Sequence, residues 1–182
     1  MDEIVRQAMA KWPNVPDCYG WLGLDTRGNW YMRDDRVQSL GPFAGGPAAA
    51  KGSLLIHDKL MAFINRNYMA DDQGCWFFQN GPQRVYVELA ATPWIWRVQA
   101  DYTLQTHTGL PTACTVCLTD EHGWLYLETP IGFGLVHTQD VELAAQAVEA
   151  GLWTVQSAQR SDLAARYGYV CSPTLHQQLL QK

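Results

Sequence analysis

Two stretches of this chain follow one order of residue types. From Trp30 the sequence runs to Leu55-Ile56-His57, an apolar-periodic stretch, Gly74-Cys75-Trp76-Phe77-Phe78-Gln79-Asn80, and then Gln83-Arg84. From Trp124 it runs to Leu135-Val136-His137, another apolar-periodic stretch, Gly151-Leu152-Trp153-Thr154-Val155-Gln156-Ser157, and then Gln159-Arg160. Self-similarity of this kind predicts architecture, two copies of one supersecondary unit, and says nothing about chemistry.

A chain of 182 residues is long enough for one ordinary domain or two small ones. Apolar residues make up 47% and charged residues 17%, which is a globular and not a disordered composition. Net charge is −5 and the Lys and Arg residues are scattered, so no basic stripe exists to hold a nucleic acid. The opening Met1-Asp2-Glu3-Ile4 is acidic and no apolar core follows it, unlike a secretory signal. No run reaches the roughly 20 apolar residues of a membrane helix. Five cysteines, Cys18, Cys75, Cys114, Cys117 and Cys171, are an odd number for a disulfide framework. A soluble cytoplasmic protein is the expectation.

Periodicity predicts a short helix over 2–12, with Ile4, Val5, Ala8 and Trp12 on one face, stopped by Pro13 and Pro16. A hairpin is expected over 19–33 around Thr26-Arg27-Gly28-Asn29. Residues 41–52, rich in Gly, Pro and Ala, read as a flexible flap or long insertion. A helix over 58–68 and strands over 75–79, 84–89 and 94–100 follow, with Asn80-Gly81 as a turn. The second copy is expected to have a hairpin from strands 112–118 and 124–128, and a bend over 129–134. Its helix spans 139–150 and its next strand 152–156. A helix over 161–167, a short strand over 169–171 and a final helix opened by Ser172-Pro173 complete the chain. The expected class is α+β: two tandem repeats, each a roughly four-stranded antiparallel half-barrel sheet wrapped on one helix, with short N- and C-terminal helices. Residues 1–18 form the N-terminal helix and linker, 19–110 the first repeat, and 111–182 the second with the C-terminal helix.

The run Gly28-Asn29-Trp30-Tyr31, a helix, then Cys75-Trp76-Phe77-Phe78, Gln83-Arg84-Val85-Tyr86-Val87-Glu88 and Thr92-Pro93-Trp94 resembles a family of small bacterial proteins of unknown function. In that family a D-G-x-W hairpin precedes a helix and a W-x-x-P-x-E-K stretch follows it. The resemblance covers roughly residues 20–152. It implies two repeated motifs, each a four-stranded half-barrel around a helix, and a loose role in signalling or the cell envelope. This chain differs by carrying Gln83-Arg84 where an acidic–basic pair is usual, and by its glycine-rich insertion. No catalytic residues carry over.

Cys114-Thr115-Val116-Cys117 has metal or redox spacing, but it lacks a second pair and lies in an expected strand, where residues three apart face opposite ways. Buried structural cysteines are the favoured reading, and no metal or cofactor is expected. His57 and His137 precede helices at matching places, as structural caps or as pseudo-symmetric ligand contacts. Gln79 and Gln156, with Arg84 and Arg160, repeat likewise. The arginines could clamp an anion, pair with Glu88 or stack on a Trp. Gly132-Phe133-Gly134 lacks phosphate-loop spacing. The acids Asp34-Asp35, Asp71-Asp72 and Asp120-Glu121 fall in turns. Trp94 and Trp96 share a strand face and suit an interface.

These features favour a non-enzymatic binding or regulatory module, with an unidentified protein or small molecule as partner. The alternative is a small-molecule binder or small enzyme with its site between the repeats, using His57 or His137 under the 41–52 flap. A third reading is a homodimer joined through Trp94 and Trp96.

Overall fold

Short strands closed by glycine-bearing turns are what these residues build. The computed structural model describes residues 1–181. The chain begins with α1 (Glu3–Lys11), β1 (Cys18–Leu24), β2 (Trp30–Met32), α2 (Asp35–Gln38), a 3-10 turn at Ala48–Lys51, and β3 (Ser53–Leu54). Next come α3 (Asp58–Arg66), β4 (Tyr68–Ala70), β5 (Trp76–Asn80) and β6 (Gln83–Leu89). The chain continues through β7 (Trp94–Val98), β8 (Leu104–Thr106), β9 (Pro111–Thr112), β10 (Val116–Thr119), β11 (Leu125–Thr129) and β12 (Gly132–Val136). It ends with α4 (Val141–Glu149), β13 (Val155–Ser157), α5 (Arg160–Tyr167) and α6 (Pro173–Leu180).

The class is α+β, with two sheets in two compact units. Unit 1 takes Met1–Asp25, Asn29–Ala90 and Tyr169–Lys182; unit 2 takes Thr26–Gly28 and Ala91–Gly168. The expected repeat boundary at 110/111 thus falls inside unit 2, between β8 and β9, and α6 groups with unit 1. The sheet of unit 1 has six strands in the order β3-β2-β1-β6-β5-β4; that of unit 2 has seven, β13-β10-β11-β12-β7-β8-β9. Both sheets are larger than four strands and mixed in direction. Each contains two three-stranded antiparallel meanders joined by one parallel pair, β1 with β6 and β7 with β12. The helix is placed differently in the two plans: α3 lies between the meanders of unit 1, whereas α4 follows both meanders of unit 2. Matching Trp30 to Trp124 therefore aligns β1–β3 with β10–β12, while the sheet plan aligns β1–β3 with β7–β9.

Four hairpins close with one local device. The first turn residue accepts, through its side chain, the amide four positions on, and a left-handed glycine stands between them. Asp25 takes the Asn29 amide at 2.9 Å, Asp71 that of Cys75 at 2.9 Å, Thr106 that of Leu110 at 2.9 Å and Asp120 that of Trp124 at 2.9 Å. Gly28, Gly74, Gly109 and Gly123 carry the positive φ, between 77° and 91°. This is a three-residue hairpin loop with its bulge glycine. The acids Asp71 and Asp120 are thus structural acceptors, beyond the solvated turn residues expected from sequence.

In unit 1 the helix α3 covers one sheet face, with Phe63 edge-on to Phe78 at 5.4 Å between centroids. α6 is tied to β6 through Glu88, a carboxylate only 5% exposed. It accepts the Thr174 amide at 3.1 Å and the Thr174 hydroxyl at 2.6 Å, so a buried acid satisfies a helix N-terminus beside the Ser172 cap. Of the expected apolar face of α1, Val5 alone is buried; Ile4 and Trp12 are exposed.

The 41–52 segment is pinned where a loose flap was expected. The buried Arg33 guanidinium donates to the carbonyls of Gly41 (2.7 Å) and Ala50 (2.8 Å), one near each end of the segment. Phe43 is buried against Gly23, where even a methyl group would collide with its ring. Two further differences have non-local causes. The expected bend at 129–134 is a two-residue turn entering the central strand β12, because Gly132 and Gly134 leave room for Trp94. Residues 169–171 form no regular strand, although the Val170 amide reaches the Gly74 carbonyl and the Cys171 carbonyl takes the Leu89 amide.

Candidate functional site

Strand register brings two of the sequence candidates side by side. Gln79 on β5 stands opposite Arg84 on β6, and residues directly opposed in a sheet project to the same face. Gly81 and Pro82 form the two-residue turn between them, with Gly81 at φ 57°. Gln79 is 1% exposed and its Nε2 donates to the Gly81 carbonyl at 2.9 Å, while its Oε1 meets no donor. A buried amide oxygen left without a donor costs about 1–3 kcal/mol.

Arg84 lies 4.8 Å over the Phe77 ring. Hydrogen bonding to Tyr86 raises its pKa first, and the charges of Asp17 and Asp71 add to this against the cost of burial. Among the described residues it makes no ion pair with a carboxylate. The expected alternative partner Glu88 is engaged by Thr174. Gln79 and Arg84 line a hollow of about 560 Å³ together with Trp12, Asp17 and Pro82, and its wall carries no Ser, Thr, Cys or His.

The other candidates do not join this pair. His57 is exposed and caps α3, its Nδ1 accepting the Leu60 amide at 3.2 Å. His137 is buried, and its Nδ1 accepts the Gln139 amide at 3.1 Å, ahead of the α4 cap residue Asp140. Gln156 is exposed on the edge strand β13. Arg160 stacks 4.2 Å over Trp124, which is one of the structural uses weighed for it. Trp94 and Trp96 are 6% and 0% exposed, and their indole N–H groups reach the carbonyls of Ile131 (3.1 Å) and Leu127 (2.9 Å). The core of unit 2 uses both rings, whereas Trp12 and Trp21 are the exposed ones.

A second hollow in unit 1, about 260 Å³, is lined by apolar groups that include Trp21, Leu22, Met32, Ile64 and Phe78. It offers volume with little recognition chemistry, since the Gln83 amide at its rim already donates to the Pro16 carbonyl. A third, of about 130 Å³, contains Asp71, Cys75 and His176, the residue types of a thiol-nucleophile site. Burial, then the charge of Asp71, pushes the Cys75 thiol up to about 11. Asp71 is taken by the Cys75 amide and the Tyr86 hydroxyl (3.0 Å), and His176 faces Gln73 at 3.1 Å. That thiol is protonated near neutral pH and no base activates it. In the C-x-x-C segment burial raises the half-buried Cys114 to about 12 and the buried Cys117 to about 11, far from the lowered thiol of a reactive site.

Sequence reasoning missed Asp17 and Trp12 as neighbours of Arg84. Both lie around the proline-interrupted linker, where no periodicity marks which side chain turns inward. Glu88 as a helix cap was missed because its helix lies 86 residues away.

Fold and site together define an α+β protein of two mixed sheets with a polar, arginine-bearing hollow in its first unit. The chain belongs to the family described as "Protein of unknown function (DUF2946)", matched over residues 1–174. A family without an assigned function is what the sequence resemblance implied. No curated protein matches the chain. Among solved structures it is similar to a DUF1285 family protein from Silicibacter pomeroyi DSS-3, at 11% identity over 80% of this chain and 84% of that one. The TM-score is 0.47. Among the described residues no helix is long and apolar enough to cross a membrane.

Proposed function

We propose that this chain is a non-enzymatic binding protein that takes a small anionic ligand, a carboxylate or a phosphate, in the Arg84–Gln79 hollow. The observation that carries the reading is a guanidinium that lines this hollow and has no carboxylate ion-pair partner among the described residues. A guanidinium matches planar anions through its fork of N–H groups. The absence of hydroxyl, thiol and imidazole groups from that wall supports binding over chemistry. His57, a helix cap, and His137, bonded within the turn before α4, are left outside the function.

The test is calorimetric titration of the purified chain with inorganic phosphate, acetate and succinate, beside Arg84→Gln and Arg84→Lys. Binding of at least one anion, weakened about tenfold by Arg84→Gln and partly kept by Arg84→Lys, supports the reading. Anion binding that is identical in all three proteins, or absent from all, sinks it.

A further inference from the structure

The Arg84 hollow is not simply cationic. Asp17 lines it too, and its carboxylate makes no ion pair with Arg84 or with any other described basic group. The two charges sense each other, since Asp17 is among the groups that raise the Arg84 pKa. They nevertheless form no ion pair, although both line one hollow of about 560 Å³. Gln79 Oε1 is an acceptor without a donor, but it is buried behind the wall. The wall therefore presents one fork of donors, from Arg84, and one exposed carboxylate acceptor, from Asp17. Trp12 and Pro82 supply apolar surface beside them, and Trp12 is 52% exposed.

A simple anion uses only the fork and is repelled by Asp17. A simple cation suits Asp17 and is repelled by Arg84. A molecule with a carboxylate at one end and an ammonium near it uses everything: the carboxylate only accepts, the ammonium offers three donors and no acceptor. We infer that the ligand class of this site is a small zwitterion of the α-amino-acid type, its carboxylate on Arg84, its ammonium on Asp17, and its side chain along Trp12 and Pro82. This inference rests on the reading of Arg84 as a carboxylate-binding group and adds an ammonium beside that carboxylate to meet Asp17.

Matched probes separate the two ideas. Phenylalanine is titrated beside 3-phenylpropionate, which lacks the ammonium, and phenethylamine, which lacks the carboxylate. Leucine, 4-methylpentanoate and isoamylamine form a second set. At least one amino acid is expected to bind about tenfold or more tightly than its desamino acid, the scale of one charge-assisted hydrogen bond. Asp17→Asn, on an exposed side chain, is expected to erase that margin, weakening the amino acid and tightening the desamino acid that Asp17 repels; Arg84→Gln is expected to weaken both acids. If the desamino acids bind as tightly as the amino acids and Asp17→Asn alters neither, the zwitterion inference falls and the anion site stands. If no probe binds, or Arg84→Gln leaves every probe unaffected, both fall.

Discussion

The Tyr126 hydroxyl donates to the Asp120 carboxylate at 2.8 Å, on the far side of that carboxylate from the Trp124 and His122 amides, both at 2.9 Å. Unit 1 has the same pairing in Tyr86 and Asp71, at 3.0 Å. Burial pushes the Asp120 pKa up, but the hydrogen bonds from Trp124, Tyr126 and His122 together outweigh it and hold the group below its ordinary value of 3.8. A carboxyl depressed in the folded state adds stability above its unfolded pKa and loses it as pH falls through the folded pKa. Tyr126→Phe is expected to cost about 1.5–3 kcal/mol in urea unfolding at pH 7. That cost should shrink as the pH is taken below 3.8 and Asp120 protonates. An equal cost at both pH values would remove the carboxylate from the account.

Arg33 is the brace of the 41–52 segment, and burial lowers its pKa while three carbonyls receive its N–H groups: Ala50, Gly41 and Gly20 (3.3 Å). Arg33→Met keeps the length and removes the donors, leaving buried carbonyls unpaired. A loss of about 3 kcal/mol is expected, together with new protease cleavage inside 41–52. Cleavage equally fast in the unaltered protein would show the segment to be loose in solution.

Backbone geometry sets two opposite expectations within unit 2. Tyr102 has φ 64° at the hairpin position that glycine holds in the other turns, a conformation that costs a non-glycine residue about 1–2 kcal/mol. Tyr102→Gly is expected to raise stability by about 1 kcal/mol or less, part of the relief being returned as unfolded-state entropy. Gly134→Ala should do the reverse. A methyl there would lie 2.4 Å from the Trp94 carbonyl oxygen, so the parallel pair β7–β12 must separate. Thermal unfolding of the two variants should shift in opposite directions; a shared direction would contradict the strand register.

Thiol chemistry separates the five free cysteines. Cys75, Cys114 and Cys117 are raised to between about 11 and about 12, and Cys18 is raised as well, each chiefly by burial. Cys171 is the exposed one. One rapid equivalent is expected with a disulfide reagent at pH 8, abolished by Cys171→Ser. A second rapid equivalent assigned to Cys114 would reopen the C-x-x-C segment as a reactive site.

What could be read along the chain was whatever closes within about five residues. The Asp120-Glu121-His122-Gly123 turn was readable because the side chain and the amide it accepts are four positions apart. His57 as a helix cap was readable for the same reason, three positions from Leu60. The bend expected at Gly132-Phe133-Gly134 failed because the meaning of those glycines depends on Trp94, about forty residues earlier. The Gln79–Arg84 pair lay halfway: both residues stood out in the sequence, but only the Asn80–Gln83 turn put them on one wall. Their repeated counterparts, Gln156 and Arg160, are on an edge strand and over a tryptophan.

Local chemistry along the chain was enough to specify the α+β class, the turn sites, and the α3, α4 and α6 helices. Tertiary structure decided the strand orders, the burial of Trp94 and Trp96, the pinning of residues 41–52, and the meeting of Asp17, Gln79 and Arg84 around one hollow. The division follows range. Turn and cap hydrogen bonds join neighbours whose spacing is written in the residues themselves. Parallel pairing of β1 with β6 joins segments some 65 residues apart, Leu22 with Val87 among them, and only the folded sheet brings such side chains to a common wall.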